Sequence, residues 1–83
     1  MRYSELLYEA TQQFWDHTFI RFLDLRRDVT TDPQGVIAEC EALIRTFNAI
    51  TPADVGEEEL IEIAVECCDD LIEEAERIIN QQP

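Results

Sequence analysis

Residues 57–81 read EEELIEIAVECCDDLIEEAERIINQ, and the order of apolar and acidic residues within them decides the fold class. Ile61, Ala64, Cys68, Leu71, Ala75 and Ile78 recur at alternating steps of three and four, which brings them onto one stripe of an α-helix. Leu60, Val65, Cys67, Ile72 and Ile79 widen that stripe to nearly half the circumference, enough to meet more than one neighbouring helix. Asp54, with Glu57 three residues later, reads as a capping box opening the segment. A helix over about 57–81 is expected.

Upstream, Thr51-Pro52 closes a second helical segment, and Asp32-Pro33 opens it. Asp32 can cap that helix, and Pro33 at the first helical position gives up an N–H that would have no partner there. Between them Val36, Ile37, Cys40, Leu43, Ile44 and Phe47 share one helical face, so a helix over 33–49 is expected. The first segment, about 4–27 with Ser4 as a plausible cap, differs in kind. It holds six of the seven aromatics, Tyr3, Tyr8, Phe14, Trp15, Phe19 and Phe22. Leu7, Ala10, Phe14, Thr18 and Leu25 mark one face with Trp15 and Phe22 beside it, while Phe19, Ile20 and Leu23 point elsewhere on the wheel. A helix apolar nearly all round is central in its fold or buried in a partner. With two other helices to cover it, self-association is the simpler account.

The expected fold is therefore all-α: one domain over residues 1–83, a small antiparallel three-helix bundle completed by homodimerisation. A chain of 83 residues buries only about 60% of the surface its unfolded form exposes, so support from a second copy is physically reasonable. Two Gly and three Pro leave little room for the turns of an all-β fold. No segment matches the roughly 20 apolar residues of a membrane span, and Glu5 and Glu9 stand where a signal peptide would be basic and then apolar. Cys40, Cys67 and Cys68 are odd in number and lack secretory spacing. A cytoplasmic location is expected.

Charge is the outlying property. Nineteen acids face six bases, all Arg, for a net charge of −13. The excess is uneven: residues 1–31 carry a balance of −1 and residues 32–83 a balance of −12. Direct binding to nucleic acid or to an anionic membrane is disfavoured, since attraction to phosphate drives both. A basic protein is the natural complement.

Between Glu57 and Glu76 stand ten carboxylates and no base. Glu59, Glu62, Glu66, Asp69 and Glu73 step by three and four along the face opposite the apolar seam, with Asp70 alongside. Like charges so spaced repel by about 0.2–0.5 kcal/mol per pair, a loss that interspersed Lys or Arg would turn into a gain. The functional reading is a rod of negative charge that imitates nucleic-acid phosphates in a basic groove. The plainer reading is a face that keeps the protein in solution.

Catalytic and metal patterns are missing. Adjacent Cys67 and Cys68 diverge by about 100° on a helix, and neither CxxC, ExxH nor a calcium loop occurs. His17 is the only histidine, and its neighbour Asp16 does not face it on a helix. A carrier protein's prosthetic-arm serine would sit at a mid-chain helix start, whereas the only serine is Ser4. The expected function is that of a non-enzymatic acidic protein-binding module without cofactor or metal. As an inhibitor or regulator it would engage a basic, nucleic-acid-binding protein surface through Glu59, Glu62, Glu66, Asp69, Asp70 and Glu73. The alternative is a structural or assembly subunit docking through Trp15, Phe19 and Phe22.

Overall fold

A computed structural model describes the backbone of residues 3–81 and the side chains of residues 12–81. The expected cap at Ser4 and the apolar positions Tyr3, Leu7, Tyr8 and Ala10 lie outside the described side chains. The chain forms three helices, α1 (Tyr3–Asp28), α2 (Pro33–Asn48) and α3 (Val55–Gln81), and no strand occurs among the described residues.

The helix ends follow their capping chemistry. The Asp32 carboxylate accepts from the Gly35 N–H at 3.1 Å, with Pro33 at the start of α2. A side chain at position 35 would run into that carboxylate, because a Cβ there would lie 2.1 Å from Asp32 Oδ2. At α3, Asp54 Oδ1 accepts from the Glu57 N–H at 2.8 Å, and Glu57 Oε1 accepts from the Ala53 N–H at 3.1 Å. The box thus reaches one residue further back than the ordinary form, and α3 begins at Val55, two residues earlier than the sequence pattern suggests.

Successive helices run antiparallel. Trp15, early in the described part of α1, stacks on Phe47 near the end of α2, with ring centroids 5.9 Å apart. Further along α1, Arg21 grips Glu39, earlier in α2, through two bonds of 2.5 and 2.7 Å. Cys40 of α2 and Cys68 of α3 are buried in the same core cluster. The helices are staggered, so the molecule measures 57 × 19 × 15 Å. Its radius of gyration of 15.0 Å exceeds the about 12 Å of a compact chain this long.

The expected seam of α3 is where it packs. Ala64, Cys68 and Ala75 have no exposed surface, and Ile61, Leu71 and Ile78 are half-buried beside them. Small side chains at the centre let α2 approach closely, with Val36, Cys40 and Phe47 facing in. In α1 the buried stripe is Trp15, Thr18, Phe22 and Leu25, continued by Val29 after the helix, again at steps of three and four. The buried Thr18 hydroxyl donates to the Phe14 carbonyl at 2.8 Å, so the stripe carries no unpaired polar group. One expectation needs correction: Phe14 does not belong to this face, being 41% exposed. It stands at the edge of the stripe, packed edge-on against Trp15 at 5.1 Å.

Candidate functional site

Glu59, Glu62, Glu66, Asp69, Asp70 and Glu73 all stand exposed on α3, on the side away from the seam. Among the described residues none of the six enters an ion pair; α3's one such contact joins Glu74 to Arg77. The face is geometrically regular because α3 is an uninterrupted helix of 27 residues. From Glu59 to Glu73 the six advance about 21 Å, one carboxylate per about 4 Å, comparable to the ~3.4 Å per phosphate of one DNA strand. These are acceptors on a rigid rod, able to receive charge-assisted hydrogen bonds from Arg and Lys.

The aromatic candidates divide. Trp15 and Phe22 are taken up by the chain's own core, at 5% and 7% exposure, and are not presented to a partner. The reason is Phe47, the lone aromatic of α2, which lies flat against Trp15 and edge-on to Phe22 at 6.3 Å. Phe19 is half-buried, 6.1 Å from Trp15 and 5.9 Å from Phe22. The apolar side chains that α1 turns outward are instead Leu23 (69% exposed) and Ile20 (56%).

Between α1 and α3 runs a groove of about 780 Å³ with an apolar lining that includes Phe19, Phe22 and Leu71, and with Leu23 at its outer edge. Asp70 and Glu74 line its α3 bank and Arg26 its α1 bank. Sequence reasoning located Leu23 as surplus apolar surface but not the groove. The groove depends on how α1 sits against α3, which no local pattern in either segment encodes.

The cysteines divide as well. Cys40 and Cys68 have no exposed surface. The Cys68 thiol is pushed well above its ordinary range by its hydrogen bond to Cys40 and then by burial. Cys67, half-buried on the groove side, is raised by burial and by the Asp70 and Glu66 carboxylates. His17 is exposed on α1 while Cys40 is sealed in the seam, so the two do not form a nucleophile and base. Among the described residues no three His, Cys, Asp or Glu side chains converge as a metal site would require, and no helix is long and apolar enough to cross a membrane.

No protein-family model, curated protein or solved structure matches the chain. The reading of its function therefore rests on the surfaces just described.

Proposed function

We propose that this chain is a non-enzymatic, cytoplasmic acidic binding module that occupies the basic, nucleic-acid-binding surface of another protein and so inhibits or regulates it. The observation that carries the proposal is the exposed face of α3, where Glu59, Glu62, Glu66, Asp69, Asp70 and Glu73 stand in register without a basic partner among the described residues. A face serving only solubility gains by mixing in Lys, which relieves i, i+4 repulsion; this face forgoes that gain along its whole length. Charge spacing near that of a nucleic-acid strand supports mimicry of phosphate over general acidity. The test is capture of partners at low and at physiological salt, followed by competition with an oligonucleotide. Charge-driven capture falls steeply as ions screen over about 8–10 Å, and the oligonucleotide displaces the module. Capture indifferent to salt and to oligonucleotide would remove the proposal.

The proposal includes a homodimer formed through α1. Its support is the exposure of Ile20 and Phe14, apolar side chains outside the α1–α3 groove, on the part of the chain whose charge balance is only −1. A second copy meets little repulsion there. Light scattering at micromolar concentration should give a dimer mass, and Ile20→Glu should give a monomer. The docking-subunit alternative loses Trp15 and Phe22 to the core and keeps only Phe19 of its three aromatics.

A further inference from the structure

The α1–α3 groove has the dimensions and chemistry of a site left open for one more helix. Its walls are two helices, and it runs from Phe19 on α1 to Val29 just past the end of that helix, about 15 Å or three helical turns. Phe19, Phe22, Val29 and Leu71 give the groove an apolar lining, and Leu23 at its outer edge is 69% exposed, which leaves substantial apolar surface in water. Ile63, 48% exposed, stands one turn before Cys67 on the same side of α3 and extends the apolar track toward the start of that helix.

The banks differ in charge. On α3, Asp70 and Glu74 edge the groove, with Glu66 and Glu73 on the slope behind. Glu74 is already held by Arg77, so Asp70 is the free acceptor at the rim. On α1 the rim carries a cation, Arg26. A second copy of the chain, at −13, would bring like charge against the α3 bank. An amphipathic helix with a basic edge would not.

We infer that the groove receives an amphipathic helix of the basic partner. Apolar residues spaced i, i+3/i+4, i+7 would seat on Leu23 and Leu71. Lys or Arg would line the edge over Asp70 and Glu66, and a neutral or acidic residue would face Arg26. Such a segment completes a four-helix bundle, and this is the ordinary helix-in-groove mode of peptide recognition. The inference rests on the basic-partner reading above and adds what that partner presents. The carboxylate rod supplies long-range attraction, and the groove supplies discrimination by shape.

The test uses the full chain and two fluorescein-labelled synthetic peptides of 18 residues. One places Leu and Lys on opposite faces of a helix; the other is a scramble of the same composition and charge. Anisotropy titration should show the amphipathic peptide binding at least tenfold more tightly than the scramble. Leu23→Gln should erase that preference, and since the side chain is already largely in water, circular dichroism of the variant should match the parent. Three results overturn the inference. Equal binding of the two peptides, lost alike on changing Glu62, Glu66 and Glu73 to Lys, leaves the basic-partner reading standing and removes the groove. Conversion of a dimer to a monomer by Leu23→Gln shows that a second copy fills the groove instead. Binding of neither peptide at low salt would remove both the groove and the basic-partner reading.

Discussion

The α2–α3 pair and α1 solve the same packing problem with opposite materials. Where α3 meets α2 its centre is lined with the smallest available side chains, Ala64, Cys68 and Ala75, none with any exposed surface. Two such helices come close and bury their seams along much of their length. Where α1 meets the pair it uses the largest, Trp15 and Phe22, held by a single aromatic at the far end of α2. The α1 stripe is buried from Trp15 through Leu25 to Val29, yet a groove stays open beside it against α3. The tight pair therefore provides stability and a straight rod for the charges, while the loose one provides an opening.

The largest test of this contrast is Phe47→Ala. Phe47 is 1% exposed and is the one aromatic of α2, so its loss leaves Trp15 and Phe22 facing a void. Truncations of this kind cost about 3–5 kcal/mol, much of the stability expected of so small a domain. Urea unfolding should show that loss, and Trp15 emission should shift to the red under native conditions as α1 loosens. A cost under about 1 kcal/mol would mean that α1 is held by something other than this cluster.

Next in size is overpacking of the tight pair. Ala75→Leu puts extra carbons into a seam with no spare surface and should cost about 1–3 kcal/mol. The contrasting substitution, Leu23→Gln in the open groove, should stay within about 0.5 kcal/mol. If the two cost the same, the difference in closeness between the pairs is not real.

How much of this was legible beforehand follows the same division. The α3 seam was readable because its stripe is uninterrupted and its capping box is strong, and of the residues that the spacing selected the structure buries Ala64, Cys68 and Ala75 and half-buries Ile61, Leu71 and Ile78. The start of α3 moved to Val55 because a capping box fixes the N-cap at Asp54 and places the first helical residue directly after it. For α1, periodicity failed at Phe14, since on a helix apolar nearly all round no face is marked out by contrast. Which aromatics turned inward was decided by Phe47, more than twenty residues away in sequence, and no local pattern carries that information. The acidic positions were legible as a face, because charge opposite a well-defined seam has one place to go.

A smaller effect is expected at the buried thiol pair. Cys68→Ala removes one sulfur from the seam and should cost on the order of 1 kcal/mol. Alkylation separates the three thiols more finely. In the native chain only Cys67 should react, with Cys40 and Cys68 joining in denaturant. Because burial and the flanking carboxylates raise the Cys67 thiol, the reactive thiolate is scarce at neutral pH. Its labelling rate should climb with pH and still be climbing beyond pH 8.5, where an unperturbed thiol is half ionised. A rate that levels off below that point would contradict the raised thiol.

The smallest effect on stability should come from the change with the largest effect on function. Changing Glu62, Glu66 and Glu73 to Lys together alters the charge of the α3 face while touching no buried side chain, since all three are exposed. Glu62 and Glu66 become a Lys–Lys pair that still repels, but Glu62 lies three or four residues from Glu58 and Glu59, and Glu66 and Glu73 lie three or four from Asp69, Asp70 and Glu76, which stay acidic. Each repulsion turned into attraction is worth about 0.2–0.5 kcal/mol, so the thermal midpoint should hold or rise slightly. Binding to a basic partner should nonetheless be lost, because the approaching cations would now meet cations. A midpoint that falls by several degrees would show that the face supports the fold in a way its exposure does not reveal, and the loss of binding could then be unfolding. A stable variant with unchanged affinity would falsify the charge reading outright and leave the exposed apolar residues of α1 as the only recognition surface. The intermediate outcome, a stable variant whose partner binding is lost but was never displaced by nucleic acid, keeps the basic partner and discards the mimicry. The comparison between the two halves survives all three results, because it concerns how the rod is held straight and not what the rod meets.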